Sequence, residues 1–299
     1  MRRTSAFASF LLALLALSLA LPARAEDQPA GQSAPAARGQ LPPDGSRAQA
    51  SRAPASGWRV GLGLAPVFAP AWQGSKDTAL SIFPDLRLNK GDTLFLSVRD
   101  GLGWNAINRG GWKAGPLVKL RFGRNEDDGG SPFLIAGGST ALRGMGDIGA
   151  AGEAGVFVEK RFGPRMEWRA RAELRQGFGG HEGAIGDVQI ARTGRSGRLL
   201  FSVGPRATFA GRDFVRTYFG VDEAEAQRTG LAVSRPDGGL LSWGLGGTLT
   251  RPLTLRSAVT AIAGVDRLGG EPARSALIRE RGRRTQVSLG LAYGVQFGL

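Results

Sequence analysis

The chain has 299 residues, with 39 Lys+Arg against 25 Asp+Glu, 47 Gly, 16 Pro, one His and no Cys. Lack of cysteine excludes a disulfide framework, a thiolate zinc site, an iron–sulfur cluster and a cysteine nucleophile, and a lone histidine leaves no multi-histidine metal centre. The formal net charge of +14 would point to nucleic acid in a cytosolic chain, but the first residues direct this one outward.

Arg2 and Arg3 precede an apolar run from Ala6 to Leu21 that ends in Ala23-Arg24-Ala25. A basic start, a short apolar stretch and an A-x-A site read as a signal peptide over 1–25, cleaved before Glu26. Nothing downstream holds ~18 consecutive apolar residues, so no helical span is expected after processing. Residues 26–56 are Ala, Pro, Gly, Gln, Ser and Arg with almost no large apolar side chain. That composition buries too little surface to offset ordering entropy and reads as a disordered periplasmic tether.

From residue 57 the pattern has period two, which only a strand can turn into one apolar face. Trp58, Val60, Leu62, Leu64 and Phe68 oppose Arg59, Gly61 and Gly63. Leu80, Ile82, Leu86 and Leu88 alternate with Ser81, Asp85 and Arg87; Leu94, Leu96 and Val98 with Thr93, Ser97 and Arg99. Trp112, Val118, Leu120 and Phe122 oppose Lys113, Lys119 and Arg121. A weaker copy lies at 133–137 and a fuller one at 152–162. Met166, Trp168, Ala170, Ala172 and Leu174 then oppose Glu167, Arg169, Arg171, Glu173 and Arg175. Further copies run over 184–192, 198–209, 239–251 and 254–265. The last segment is the clearest, with Val287, Leu289, Leu291, Tyr293, Val295, Phe297 and Leu299 separated by small or polar residues.

The connections 89–92, 123–132, 163–165, 193–197 and 252–253 read as the short set. Those at 69–77, 100–111, 138–151, 178–183, 210–238 and 266–285 read as the long set. This predicts an all-β chain over 57–299: a closed antiparallel transmembrane β-barrel of about twelve strands, ten being possible, with short periplasmic turns and longer extracellular loops. A soluble sandwich also alternates, but export, aromatics at strand ends and the apolar closing strand favour the membrane. Trp58, Phe122, Phe162, Trp168 and Phe297 are expected on the short-turn side, and Phe68, Trp112, Phe178 and Phe209 on the long-loop side. The location implied is the outer membrane of a Gram-negative cell, with lipid including lipopolysaccharide as the surrounding partner.

A Lys or Arg on the lipid face at the bilayer midplane costs ~2–4 kcal/mol, so the charged rows must face inward. The lumen is thus expected to hold Arg59, Asp85, Arg87, Arg99, Lys113, Lys119, Arg121, Glu153, Glu159, Glu167, Arg169, Arg171, Glu173, Arg175 and Arg206. Arg161, Asp187, Arg198 and Arg256 fall in the same register. Lys160, Arg192 and Arg251 sit in the apolar register near strand ends, where they can snorkel. Two readings stay open: salt-bridged side chains that block passage, or a small pore whose positive excess favours anions.

Catalysis has one thin candidate, a hydrolase built on His181 with Glu182 and Asp187; an exposed loop histidine is the plainer reading. Gly61-Leu62-Gly63 and Gly244-Leu245-Gly246-Gly247 lie inside strands and read as small inward residues or bends, not phosphate loops. Glu126-Asp127-Asp128 lacks the ligand spacing of a calcium loop. No catalytic residue, cofactor or metal ligand is assigned.

Several segments resemble the MipA/OmpV family of outer-membrane proteins. Pro70-Ala71-Trp72-Gln73-Gly74-Ser75-Lys76-Asp77 followed by Pro84 is similar to one family element, and Leu142-Arg143-Gly144-Met145-Gly146-Asp147-Ile148 with Glu153 and Gly155 to another. The strongest match is Tyr218-Phe219-Gly220-Val221-Asp222, with Ala224, Ala226, Gln227, Thr229-Gly230-Leu231 and Gly238-Gly239 behind it. Arg267-Leu268 and Ser275-Ala276-Leu277-Ile278 complete the resemblance, which covers about 57–299. Ala276 stands where the family usually has Pro, Trp72 for Tyr and Leu299 for a closing Phe. The resemblance implies a non-enzymatic scaffold bridging a membrane-bound lytic transglycosylase and a penicillin-binding protein in peptidoglycan synthesis, other members being adhesins or porin-like proteins. The loop 210–238, with a short helix expected near 222–228, reads as a lid over the barrel mouth or as a contact for a ligand or surface. A murein enzyme would need the short-turn rim or the tether 26–56.

Overall fold

The computed structural model describes residues 57–129 and 131–298; the signal peptide and tether expected at 1–25 and 26–56 lie outside the described residues. The alternating segments fold as strands, because only extended backbone sends their two side-chain rows to opposite faces. In chain order they are β1 (Trp58–Pro70), β2 (Thr78–Lys90), β3 (Leu94–Ser97), β4 (Gly101–Trp104), β5 (Ile107–Arg109), β6 (Trp112–Arg121), β7 (Leu134–Gly137) and β8 (Ala151–Phe162). There follow β9 (Trp168–Gly179), β10 (Ala184–Ser196), β11 (Leu199–Ala210), β12 (Gly239–Pro252), β13 (Ser257–Leu268) and β14 (Thr285–Gly298).

The sheet runs β1-β14-β13-β12-β11-β10-β9-β8-β6-β4-β3-β2 and closes through an additional β1–β2 pairing. All these pairs are antiparallel, so the wall is a closed barrel of 12 strands. Closure removes the unpaired edges that a membrane does not tolerate. Leu64, Val156, Val203, Leu245, Leu289 and Leu291 stand exposed on the outer face, as a lipid-facing band requires.

Twelve strands are reached by a different route from the one the alternation predicts. Segment 100–111 is not a long outer loop. It carries β4, which pairs with β3 and β6, and β5, which pairs with β6. Arg109 faces Trp112 across Gly110 and Gly111, whose φ values of 56° and 76° are those of a two-residue hairpin turn. This extra passage reverses β6, so Trp112 pairs with Lys160 beside the 163–165 turn while Arg121 pairs with Ala151 at the other rim. Trp112 therefore belongs to the short-turn side, and Phe122 with 123–132 to the long-loop side, where Arg124 bridges Ile148. Segment 133–137 leaves the ring: β7 pairs only with the outer end of β2. A strand gained and a strand lost cancel in the count.

Four short helices occupy the outer loops: α1 (Arg212–Phe219), α2 (Glu223–Thr229), α3 (Gly270–Arg274) and α4 (Ala276–Arg281). Their apolar residues make one cluster with Ala71, Trp72, Leu142, Met145, Leu241 and Leu268, so the water-excluding core lies across the outer mouth.

Candidate functional site

The inward row of β9 sets the electrostatics of the lumen. Arg175 reaches three carboxylates: Glu153 at 2.8 Å, Asp187 at 2.6 Å, and Glu173. Glu153 also accepts from Arg121 at 2.5 Å and faces His181 Nε2 at 3.2 Å. Glu173 pairs with Lys119 at 2.7 Å and Arg171 at 2.8 Å. Lower down, Glu159 is shared by Arg169 at 2.9 Å, Arg171 at 3.3 Å and Arg161 at 3.8 Å. The Arg171 guanidinium lies 4.3 Å from the Phe157 ring centroid. These residues come from β6, β8, β9 and β10 and from the β9–β10 connection, and together they fill that half of the interior.

The other half is built differently. Arg206 makes a bidentate pair with Asp266 at 2.8 and 2.5 Å, and Arg87 one with Asp85 at 2.7 and 3.0 Å. Glycines make room: a Cβ at Gly246 would stand 2.9 Å from Arg206 Nη1, and one at Gly264 2.6 Å from its Nη2. Around these pairs the inward positions of β1 and β11–β14 are small, including Gly61, Gly63, Ser202, Gly204, Thr248, Ser288, Gly290 and Ala292. The result is a cavity of about 760 Å³, with a 50 Å³ pocket towards the short-turn rim and a 200 Å³ pocket near Trp72 and Gln73.

The remaining predicted lumen residues lie apart from this network. Arg59 donates to the Gly91 carbonyl at 3.1 Å, and Lys113 sits 3.6 Å from Asp92. Arg99 lies at the tip of the β3–β4 hairpin and lines both the large cavity and the small one. Glu167 precedes β9 and turns to the 163–165 connection, accepting from the Arg165 N–H at 2.9 Å. Its own N–H and that of Arg165 hold its carboxyl below the usual range. Arg198 and Arg256 are exposed in turns rather than inside the barrel.

The loop carrying Tyr218, Phe219, Gly220 and Val221 forms the lid. Phe214, Val215 and Phe219 on α1 have no exposed surface, and Val221 pairs with Ser234 beyond the helix. Gly220 closes α1 by donating its N–H to the Arg216 carbonyl. Asp222 and Glu225 form a reciprocal capping box that starts α2. Arg121 sits 5.1 Å from the Phe214 ring, so the lid rests on the ionic half of the lumen. Arg124 Nη1 donates to the Tyr218 carbonyl at 2.7 Å, and burial pulls its guanidinium down to about 10. Burial pushes the Tyr218 phenol up.

His181 departs from the expectation of an exposed loop residue. It is only 2 % exposed, with its ring edge-on to Phe214 at 5.0 Å and Tyr218 at 5.9 Å. Among the described residues no serine hydroxyl bonds to it, and its contacts are those of a wedge between lid and lumen. No group of three metal-ligating side chains occurs among the described residues. Sequence reasoning missed this role because the rings that bury His181 lie over thirty residues downstream.

Closed wall, apolar exterior, ionic interior and helical lid define a lid-bearing β-barrel of the outer membrane. The chain belongs to the family of the MltA-interacting protein MipA, whose model matches residues 62–297. No curated protein matches the sequence significantly. Among solved structures, the chain is similar to an outer membrane channel from Pseudomonas putida F1, with 12% identity, a TM-score of 0.45 and coverage of 89% of this chain and 100% of that one. It is also similar to the NanC porin (10% identity, TM-score 0.37, covering 80% and 98%) and to an anion-selective porin from Comamonas acidovorans (10%, 0.30, covering 80% and 98%).

Proposed function

We propose that the protein is a non-enzymatic scaffold that holds cell-wall enzymes at the inner face of the outer membrane, its partners being a membrane-bound lytic transglycosylase and a penicillin-binding protein. The family name supports the first partner. The observation that carries the reading is the short-turn rim. Lys90, Arg109, Arg165, Arg192, Arg195, Arg198, Arg251 and Arg256 stand exposed there, against exposed Asp92 and half-buried Glu167. Leu253 and Leu255 project beside them, 53% and 84% exposed. On the outer rim, by contrast, exposed arginines stand among exposed acids: Arg212 pairs with Asp237, Arg235 with Glu223 and Arg274 with Glu271, and Asp127, Glu182, Asp213, Asp222 and Glu280 are exposed beside the others.

A rim of unmatched positive charge with an apolar knob suits an acidic protein face, through steering and a small buried contact. The lid gives the barrel a closed outer end, consistent with an anchor rather than a conduit, and the outer girdle meets lipid including lipopolysaccharide. Co-purification from outer membranes in mild detergent tests this. The lytic transglycosylase should accompany the full chain at low salt and be lost when Arg195→Glu and Arg198→Glu are combined. Retention by that variant, or absence of the enzyme together with ion currents in a planar bilayer, would overturn the scaffold.

A further inference from the structure

The hollow half of the lumen has the size of a small-molecule site, such sites spanning roughly 300–1,000 Å³, and the sign of its free charge identifies the ligand. The carboxylates that line it are engaged: Asp85 by Arg87, Glu153 by Arg121 and Arg175, Asp187 by Arg175. Nothing anionic is left to receive a cation. Arg99 is the reverse case. It is exposed, lines both the 760 Å³ cavity and the 50 Å³ pocket beneath it, and has no ion-pair partner among the described residues. The neighbouring Asp100 carboxylate accepts from Ser97 Oγ at 3.0 Å and divides its charge among Arg171, Arg99, Lys119 and Arg87, so cations outnumber acids around the chamber.

The wall across from Arg99 carries one charge pair, Arg206 with Asp266. It offers the hydroxyls of Ser202, Thr248 and Ser288 over a floor of glycine backbone. Hydroxyl donors and acceptors beside flat backbone suit a polyhydroxylated body, while Arg99 suits an anionic group on it. The approach from the periplasmic side carries the same sign. Arg59, Lys113, Arg161, Arg169 and Arg171 face inward there and outnumber their acids Asp92, Glu159 and Glu173, and the basic rim lies below them. Charge of one sign along a low-dielectric passage concentrates the opposite ion.

We propose that this chamber binds a small polyhydroxylated anion, a sugar acid or sugar phosphate, seated with its anionic group on Arg99 and entering from the periplasmic rim. The inference stands apart from the scaffold reading, since rim and chamber use different residues. Isothermal titration of the purified full-length barrel in detergent tests it, with glucuronate and glucose 6-phosphate as probes and glucose as the uncharged control. Either anion should bind about 10-fold or more tightly than glucose, the stronger of the two naming the anionic group. Arg99→Gln should erase that preference and Arg99→Lys should keep most of it. Ala292→Phe, which fills the chamber without touching a charge, should abolish binding. Migration shifts on heating in SDS gels verify that each variant is folded. Equal affinity for glucose and the anions, no measurable binding, or a folded Arg99→Gln protein that retains the preference would overturn the proposal.

Discussion

The two halves of the lumen obey one rule of alternation and reach opposite outcomes. On β8 and β9 the inward positions include Glu153, Phe157, Glu159, Arg161, Arg169, Arg171, Glu173 and Arg175, long side chains that meet across the axis and pair. On β12–β14 the inward positions include Gly244, Gly246, Thr248, Gly264, Ser288, Gly290 and Ala292, and the space stays open. Period two decides only which side of the wall a residue faces. Side-chain length decides whether that side becomes packed or hollow, and charges can pack only where each finds a partner.

The largest way to break the contrast is Arg175→Ala. It takes away the one guanidinium that Glu153, Glu173 and Asp187 share, leaving Asp187 with Thr208 alone among the described residues, and removing one member of a buried ionic cluster costs about 3–5 kcal/mol. Guanidinium unfolding of the detergent-solubilised barrel should show that loss. Next comes Leu245→Arg on the lipid face of the hollow half, expected to cost ~2–4 kcal/mol in the same assay performed in bilayers. Asp222→Ala removes the cap of α2 and should lower stability by about 1 kcal/mol. Ala292→Val adds methyls where space exists, so its effect should stay below about 1 kcal/mol; a larger loss would mean that this half is packed after all.

A pH titration sharpens the comparison at the rim above the ionic half. The N–H groups of Gly146 and Gly144 donate to Glu126 at 2.9 and 2.8 Å and hold its carboxyl below its ordinary 4.5. The folded state thus keeps this group ionised to lower pH than the unfolded chain does. Its stabilisation is complete above about pH 4.5 and fades as the pH falls further. The amide signals of Gly144 and Gly146 should report that midpoint by NMR.

Much of the wall was legible because long strands repeat their alternation often enough to fix a face. β9 and β14 give up their register at sight. The stretch 100–111 did not, since β4 and β5 hold four and three residues, too few to separate a strand from a loop. Gly110 and Gly111 read as loop formers, while their positive φ builds a tight hairpin that reverses everything up to β8. The ionic half could be anticipated from the cost of charge in lipid, although which cation meets which acid depends on rotamers and strand stagger. The chamber was present in the string of small inward residues of β14, but the emptiness opposite them depends on four other strands. His181 was misplaced for a related reason: its burial is supplied by α1.

The wall is also uneven around its circumference. β2 pairs with β1 along its length, but on its other side it meets β3 over 87–90 and β7 only over 79–81, while β4 touches β6 through 102–103. Pro84, which has no N–H to contribute, falls in the interval between the two partners of β2. Lateral pressure from the surrounding lipid is therefore borne by the long hairpins, and the cylinder's mechanical give is concentrated in that one quarter, beside the hairpin tip that carries Arg99.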